Sequence, residues 1–597
     1  MKKTLLLLLV FTTAKSIGQI YFSSNTGMYV KNEILYVGQD INLSANSNLY
    51  LRNQAQLLQG SSGSFANSGL GTLSVFQEGT GDNFDYNYWC SPVGNPSGAA
   101  GNSNFGITML SRPTGPTLSI AAVILPAGNY NGTSNPLSIA SSWIYKLVNA
   151  NNYSQWVFVG GASDLLPGQG FTMKGTSGTD PVDPAQMGTA NNPGSAQRYD
   201  FRGRPNNGNI TVTLGAGAAT LTGNPYPSAL HLNAFLLDGT NATITGGIAY
   251  FWEQDKSVNS HYLSDYRGGY GAYAPVNLTS NGIYTPPAFN SYNQDGSLNT
   301  GAPASGTGTP IIRRYAPVGQ GFLLNGTANG TATFKNSHRI FMKEAAGGSQ
   351  FEKHAAQLEE TQEELPSAIS HFKLNAIIND QFTRQLALAF TQEATDQVDI
   401  GIDAINMTAN LPNDVAFWLQ DAGYIIQGIN FDTSKRISLI VKAAVNSTFK
   451  FYIPEIVNFD AAQPVYLYDA ADDSYHDLKT APYLASVTAG TYTERFKITF
   501  TAQTLGVDPA EDMKNFFIFQ DNAKGILRAS NPNHLPLQSY TLYDIAGKTV
   551  SFQKNLTTQQ DYHFSTSGLS DGVYIVVFLT KDGQKITQKI VISTSRK

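Results

Sequence analysis

Few residues in this chain have the type and spacing that chemistry needs, and they lie far apart. The densest carboxylate run is Asp396-Gln397-Val398-Asp399-Ile400-Gly401-Ile402-Asp403. Asp396, Asp399 and Asp403 offer oxygen donors at short intervals beside a glycine, a set that a structural Ca²⁺ accepts. A polar turn between two strands is the plainer expectation. The lone cysteine, Cys90, sits in Tyr88-Trp89-Cys90-Ser91-Pro92 with no His or Lys beside it to lower its pKa. It is expected to be a small buried apolar residue, not a nucleophile. The eight histidines are scattered, none four residues from another. There is no H-E-x-x-H and no phosphate loop. A glycosidase needs two carboxylates at a set distance, which a sequence does not supply. No catalytic residue is therefore named. Aromatic side chains are the other resource. Trp252, Tyr262, Tyr266 and Tyr270 surround the Gly-rich stretch His261 to Tyr273, which reads as a long loop too rich in glycine for a helix. Such rings could stack on sugar or contact another protein, or they could pack the edge of a β core.

The elements that must position these residues are short strands. Only 14% of the chain is charged, against about 25% in ordinary soluble domains. Gly, Asn, Thr, Ser and aromatic residues fill the difference, a composition that favours an all-β protein of many short strands and turns. The net charge of −5 provides no basic stripe, which argues against nucleic acid as a partner. At 597 residues the chain is expected to hold several domains.

Residues 1–18 read as a signal peptide for the Sec machinery. Lys2 and Lys3 precede an apolar run from Leu5 to Phe11, and Ser16-Ile17-Gly18 offers a small-residue cleavage site after Gly18. Residues 19–87 carry closely spaced apolar runs, as a short solenoid or a meander would. Residues 88–345 are aromatic and Gly-rich and contain an echo. Gly168-Gln169-Gly170-Phe171 recurs as Gly319-Gln320-Gly321-Phe322, which suggests a duplicated β unit. A nucleotide loop is a poor reading, because the spacing is not G-x-G-x-x-G and no helix pattern follows. Residues 346–366 form an acidic spacer and the clearest composition break, and 367–502 return to strands at sandwich-like intervals. A linker, 503–514, leads to 515–597. There Tyr540 to Ile545 and Val573 to Thr580 read as strands, the second apolar on both faces as if covered on each side. Asp582-Gly583 signals a hairpin back through Lys585 to Ile592.

The segments Leu542-Tyr543-Asp544-Ile545-Ala546-Gly547-Lys548, Asp571-Gly572-Val573-Tyr574-Ile575-Val576 and Lys589-Ile590-Val591-Ile592 carry a resemblance. Residues 515–597 resemble the C-terminal sorting domain of the Bacteroidetes type IX secretion system. They depart from its commonest form, since Ser530-Asn531-Pro532-Asn533 stands where that form has Tyr-Pro-Asn-Pro, which points to a divergent subtype. The resemblance implies a small β-sandwich, with Leu542, Tyr543, Asp544, Gly547, Gly572, Tyr574 and Lys589 in the sorting signal. It also implies three steps: recognition by the outer-membrane translocon, removal of the domain by its processing peptidase, and attachment of the remainder to the surface or its release. Tyr475-His476-Asp477-Leu478, Pro482-Tyr483 and Glu494-Arg495-Phe496 give 367–502 a likeness to the Ig-like β-sandwich that often precedes such domains. Phe201-Arg202-Gly203-Arg204-Pro205 and Leu221-Thr222-Gly223-Asn224-Pro225 resemble a module recurrent in large secreted flavobacterial proteins. The expectation is a multi-domain all-β protein carried through the periplasm to the outer-membrane surface or beyond. Its effector region is read as adhesive or structural, with a glycan-binding module as the alternative and a polysaccharide-degrading enzyme third. A surface glycan or protein is the expected ligand.

Overall fold

A computed structural model describes residues 18–61, 66–186, 188–299, 306–344, 369–408, 411–502, 515–581 and 583–593. The expected signal peptide short of Gly18, the acidic spacer, the 503–514 linker and Asp582 lie outside them. The chain is all-β and multi-domain. It divides into two compact units, Met1–Thr501 and Ala502–Lys597.

The larger unit begins as a solenoid. Ile20–Phe22 pairs in parallel with Ile41–Leu43, Gly27–Lys31 with Asn48–Arg52, and Ile34–Val37 with Gln56–Gln59. Ile20 stacks on Ile41 and Gly27 on Asn48, so one turn of the coil takes 21 residues. Two pairs of asparagines at that spacing turn the corners. Asn25 and Asn46 both have φ near +60°, as do Asn32 and Asn53 at 63° and 50°, a region Asn enters more readily than other side-chain-bearing residues. Ile41, Leu43, Leu49, Leu51, Leu57 and Leu73 fill the interior. The solenoid ends when Thr72–Glu78 pairs antiparallel with Arg198–Pro205, which turns the coil into an antiparallel sheet.

The echo proves to be a swapped pair. Gly170–Lys174 pairs antiparallel with Tyr86–Cys90, and Gly321–Asn325 with Ala219–Gly223, so that Gly170 faces Cys90 and Gly321 faces Gly223. Each copy's glutamine then bridges to the other copy's partner strand: Gln169 meets Thr222, and Gln320 meets Trp89. Gly168 and Gly319, at φ +82° and +78°, make the turn into each strand. The crossing is tight. A Cβ on Gly321 would lie 2.6 Å from the Tyr88 carbonyl carbon. Cys90 lies fully buried at this crossing, and burial pushes its thiol up.

Arg267–Ala274 is a strand, not the loop its glycines suggested, and pairs antiparallel with Ala249–Gln254. Glycine is needed there for space: a Cβ on Gly268 would lie 2.7 Å from the Trp252 ring, and one on Gly271 would strike the Tyr284 hydroxyl. Further along, Ser370–Ile378 and Phe382–Phe390 form a hairpin, and eleven strands join in one sheet that includes Asn413–Leu419, Ala422–Ile429 and Arg436–Ala443. The apolar core under that sheet is shared. Tyr88, Leu221, Tyr250, Ala272 and Leu323 belong to the same buried cluster as Phe372, Leu388, Phe417 and Phe496.

In the smaller unit, Phe517–Asp521, Ile526–Ser530 and Asp561–Ser565 make a three-stranded sheet. Thr549–Lys554, Leu537–Asp544, Gly572–Thr580 and Lys585–Ile592 make a four-stranded one. The two sheets bury Leu527, Tyr540, Leu542, Phe564, Val576 and Phe578 between them. Tyr540 stacks on Phe564 at 3.8 Å. Gly572–Thr580 is covered on one face only. Tyr574, Val576 and Phe578 point inward, and Ile575 lies exposed on the outer side. Its double-faced apolar pattern therefore marks an uncovered sheet face, which antiparallel sheets allow.

Candidate functional site

Trp252 and Tyr270 face each other across the Ala249–Gln254 and Arg267–Ala274 pairing. They join Tyr88 in a half-buried cluster. Trp252 stacks on Tyr88 at 6.2 Å and meets Tyr270 edge-on at 5.3 Å, and the hydroxyls of Tyr88 and Tyr270 lie 2.8 Å apart. The Trp252 indole N–H donates to Gln254 Oε1, and Gln254 Nε2 donates to Asp85. Tyr266 is buried and belongs to a second cluster. Tyr262 is exposed and stands apart from both. The four rings thus do not form one open platform.

The second cluster holds a lysine that sequence reading did not single out. Lys174, at the end of the Gly170–Lys174 strand, is only 4% exposed. Its ammonium lies 4.0 Å from the Trp143 ring, 4.8 Å from Tyr266 and 5.0 Å from Tyr86. It donates to His261 Nδ1 at 3.0 Å and meets the Tyr266 hydroxyl closely. With Nδ1 accepting, His261 Nε2 carries the proton that reaches Asn131 Oδ1 at 2.8 Å. Burial lowers the lysine to about 7, against the pull of Asp85 and Asp82. Burial and the neighbouring Lys174 lower His261 to about 4. Burial, then Asp82, raises Asp85 to about 6. A lysine near neutrality between a phenol and an imidazole can exchange protons at pH 7. Here the lysine lies under a cover of rings, with Tyr266 and Lys174 both buried. No signal in the sequence joins Tyr86, Trp143 and Lys174 to His261 and Tyr266, because they come from four separate segments.

The aspartates of the Asp396 run are each spent locally. Asp396 pairs with Lys435. Asp399 accepts from the Thr395 N–H and hydroxyl, and Asp403 accepts from the N–H groups of Asp399 and Gly428, both at 2.7 Å. Burial raises Asp403 to about 7. Among the described residues no three His, Cys, Asp or Glu side chains are grouped to hold a metal. Gly568-Leu569-Ser570-Asp571-Gly572 has the letters of a nucleophile elbow. It leads into the Gly572–Thr580 strand, however, where an elbow needs a helix.

In the smaller unit the expected sorting residues fall into three sets. Leu542 and Tyr574 are core, and the Tyr574 hydroxyl donates to the Ser570 carbonyl at 2.9 Å. Asp544 and Gly547 build a turn, with the Asp544 carboxylate accepting from the N–H groups of Ala546 and Lys548 and Gly547 at φ +81°. Tyr543 and Lys589 flank Ile575 across the four-stranded sheet, and Gly572 begins its strand.

Residues 523–593 match the secretion system C-terminal sorting domain, so the chain carries the export signal of a type IX secretion substrate, a class typical of Bacteroidetes. That signal supports export to the cell surface or the extracellular space and interaction with the type IX machinery. Residues 123–500 match a family described as a domain of unknown function (DUF8693), and the chain belongs to that family. The match takes in the shared core of the larger unit, apart from Tyr88, on both sides of the acidic stretch. Comparison with curated proteins finds no match. Among solved structures, PorZ, a surface component of the type IX system of Porphyromonas gingivalis, is 9% identical with a TM-score of 0.13, over 30% of this chain and 25% of that one. A polysaccharide lyase is 8% identical with a TM-score of 0.12, over 38% and 40%. A biofilm-associated protein domain is 9% identical with a TM-score of 0.12, over 88% and 96%. Scores this low carry no weight for fold or function. No helix among the described residues is long and apolar enough to cross a membrane.

Proposed function

We propose that the chain enters the Sec pathway by residues 1–18, is recognised at the outer membrane through 515–597, and is processed there by the sorting-domain peptidase. The larger unit then serves at the cell surface as an adhesive or structural module. One observation carries the reading: the matched sorting domain presents an uncovered sheet face. Phe552, Ile575 and Val591 are exposed on it beside Lys589, the kind of apolar patch that marks a binding surface. The adhesive or structural part draws support from the way the larger unit spends its aromatic residues. Many of them pack against one another, and the cluster around Lys174 is closed over.

Deleting Asp571 to Lys597 should leave the protein in the periplasm, read by surface labelling of intact cells against total protein. Phe552→Ser with Ile575→Ser, which leaves the core intact, should reduce display as well. Normal display of the truncated chain would sink the proposal.

A further inference from the structure

The solenoid is closed at one end and open at the other. At its far end the chain covers itself: Thr72–Glu78 pairs with Asn48–Arg52, Ser68 bridges to Asn42, and Leu57 is bonded by the Pro227 carbonyl and by Arg339. At its near end Ile20–Phe22, Gly27–Lys31 and Ile34–Val37 each pair on one side only among the described residues. The interior shows the difference. Ile41, Leu49, Leu51 and Leu57 are at most 1% exposed. The residues stacked on them in the first coil, Ile20, Met28, Val30 and Leu35, are only partly covered, and Met28 is 36% exposed.

The backbone on the open side is unspent. The Ile20 N–H donates to the Asp40 carbonyl, and the Phe22 carbonyl accepts from Ser44. The Thr26 carbonyl accepts from Asn48, the Asn32 N–H donates to Arg52, and the Glu33 and Val37 carbonyls accept from Gln56 and Gly60. In a strand the N–H and C=O of one residue point to one side, and those of the next residue point to the other. The bonds to the second coil therefore fall on Met28 and Val30. The N–H and C=O groups of Gly27, Tyr29 and Lys31 point away from it, as do those of Tyr21, Ile34 and Tyr36. Such an edge is a template for another strand, and stacked-repeat folds ordinarily close it with a terminal cap of polar outer face.

We infer that this end is the interface between two copies of the chain, joined about a two-fold axis through Tyr29. A second copy cannot add head to tail, because the far end of its solenoid is already covered. The free solenoid edge of each copy has only its like to meet, and a like-to-like contact closes as a dimer. Antiparallel pairing of Gly27–Lys31 with itself suits the groups on offer. Tyr29 lies opposite the second copy's Tyr29 and Gly27 opposite its Lys31, so three residue pairs exchange two hydrogen bonds each. The two lysines then stand four residues, about 14 Å, apart along the strands, and each has a glycine across from it. The two tyrosines extend the outward row that Tyr29 makes with Tyr50. Inside, the apolar ends at Met28 and Val30 meet their like, with no charge between them. With residues 1–18 removed as proposed above, the chain starts at Gln19, one residue before this coil. The test uses that form, so its result does not depend on export.

Sedimentation of residues 19–597 over a range of concentrations should show a monomer–dimer equilibrium and no larger species. Tyr29→Pro removes an outward N–H and leaves the ladder to Asn48–Arg52 in place, as edge strands allow. It should shift the protein to monomer with its circular-dichroism spectrum unchanged. Met28→Lys, whose ammonium can leave through the open end, should do the same. Tyr29→Cys should link across the axis under diamide, since opposed residues of such a pair lie about 5.5 Å apart at Cα, inside disulfide range. The natural Cys90 is buried and does not compete. Lys31→Cys, about 14 Å from its own mate, should link far more slowly. Tyr262→Ala, exposed outside the solenoid, should leave the dimer intact. A monomer throughout, larger species in place of dimers, or a dimer that survives Tyr29→Pro would overturn the inference. Equal linking of the two cysteine variants, or linking of Tyr29→Cys in cells to a different protein, would overturn it too.

Discussion

Replacing Lys174 with methionine should change how stability depends on pH. In the unfolded chain a lysine titrates near 10.5, and in the folded protein burial brings Lys174 down to about 7. Between those values the unfolded state binds a proton that the folded state does not, so the wild type gains stability as pH rises through this window. The burial penalty is complete below pH 7. It amounts to about 5 kcal/mol from the shift alone. The rings of Trp143, Tyr266 and Tyr86 favour the charged form and offset that penalty by about 0.5 to 2 kcal/mol each. The slope is the cleaner quantity. One proton per molecule gives about 1.4 kcal/mol per pH unit. His261 and Asp85, at about 4 and 6, do not titrate between pH 7.5 and 9.5. The buried tyrosines, all raised, enter only when their unfolded phenols ionise near 10. Urea unfolding of wild type and Lys174→Met, followed by fluorescence at pH 7.5, 8.5 and 9.5, isolates the lysine. The methionine variant should be the more stable at pH 7.5, and its advantage should shrink by about 2 to 3 kcal/mol by pH 9.5. A stability difference that stays constant across the window would show that the rings hold the ammonium charged, and the reasoning would fail.

Two further outcomes follow from packing. Arg384 and Asp414 are each almost wholly buried and bonded in two places. Arg384→Met should therefore lose about 3 to 5 kcal/mol, and adding Asp414→Leu should recover most of it; a single variant melting with the wild type would contradict this. At the crossing of the echoed strands, Gly321→Ala would drive a Cβ into the Tyr88–Trp89 backbone and Gly170→Ala one into the Thr222 carbonyl. Each should cost at least about 1 to 3 kcal/mol, seen as a lower melting temperature, and unchanged melting would refute the crossing.

What could be read from the sequence was what local geometry decides. The runs Ile34 to Val37, Ile41 to Leu43 and Leu49 to Leu51 are strands, and the Asp544–Lys548 turn lies where its glycine indicated. Asn25, Asn32, Asn46 and Asn53 repeat at 21 positions and could have chosen solenoid over meander, since corners stacked turn on turn call for the same residue at the same interval. The strand Arg267–Ala274 was unreadable for the opposite reason. Its glycines serve the rings of Trp252 and Tyr284 on other strands, and nothing in their own segment announces that need. The Lys174 cluster is of this second kind. It joins strand and loop side chains that lie far apart in sequence.

The scarcity of charge makes sense in the same terms. A chain with one cysteine cannot close an internal disulfide. Instead, Arg112 binds Asp180, Arg198 binds Glu78, Arg384 binds Asp414 and Arg495 binds Asp469, each with at least one partner nearly buried. Such pairs add little net stability, because desolvation consumes most of the attraction. Breaking one is expensive, however, since the remaining charge is left unpaired out of water. A register slip by one residue would turn each of these side chains to the wrong face of its sheet. With so many short strands of similar composition, that penalty distinguishes the right pairing from its neighbours. On this view the few charges kept inside act as selectors of register more than as sources of stability.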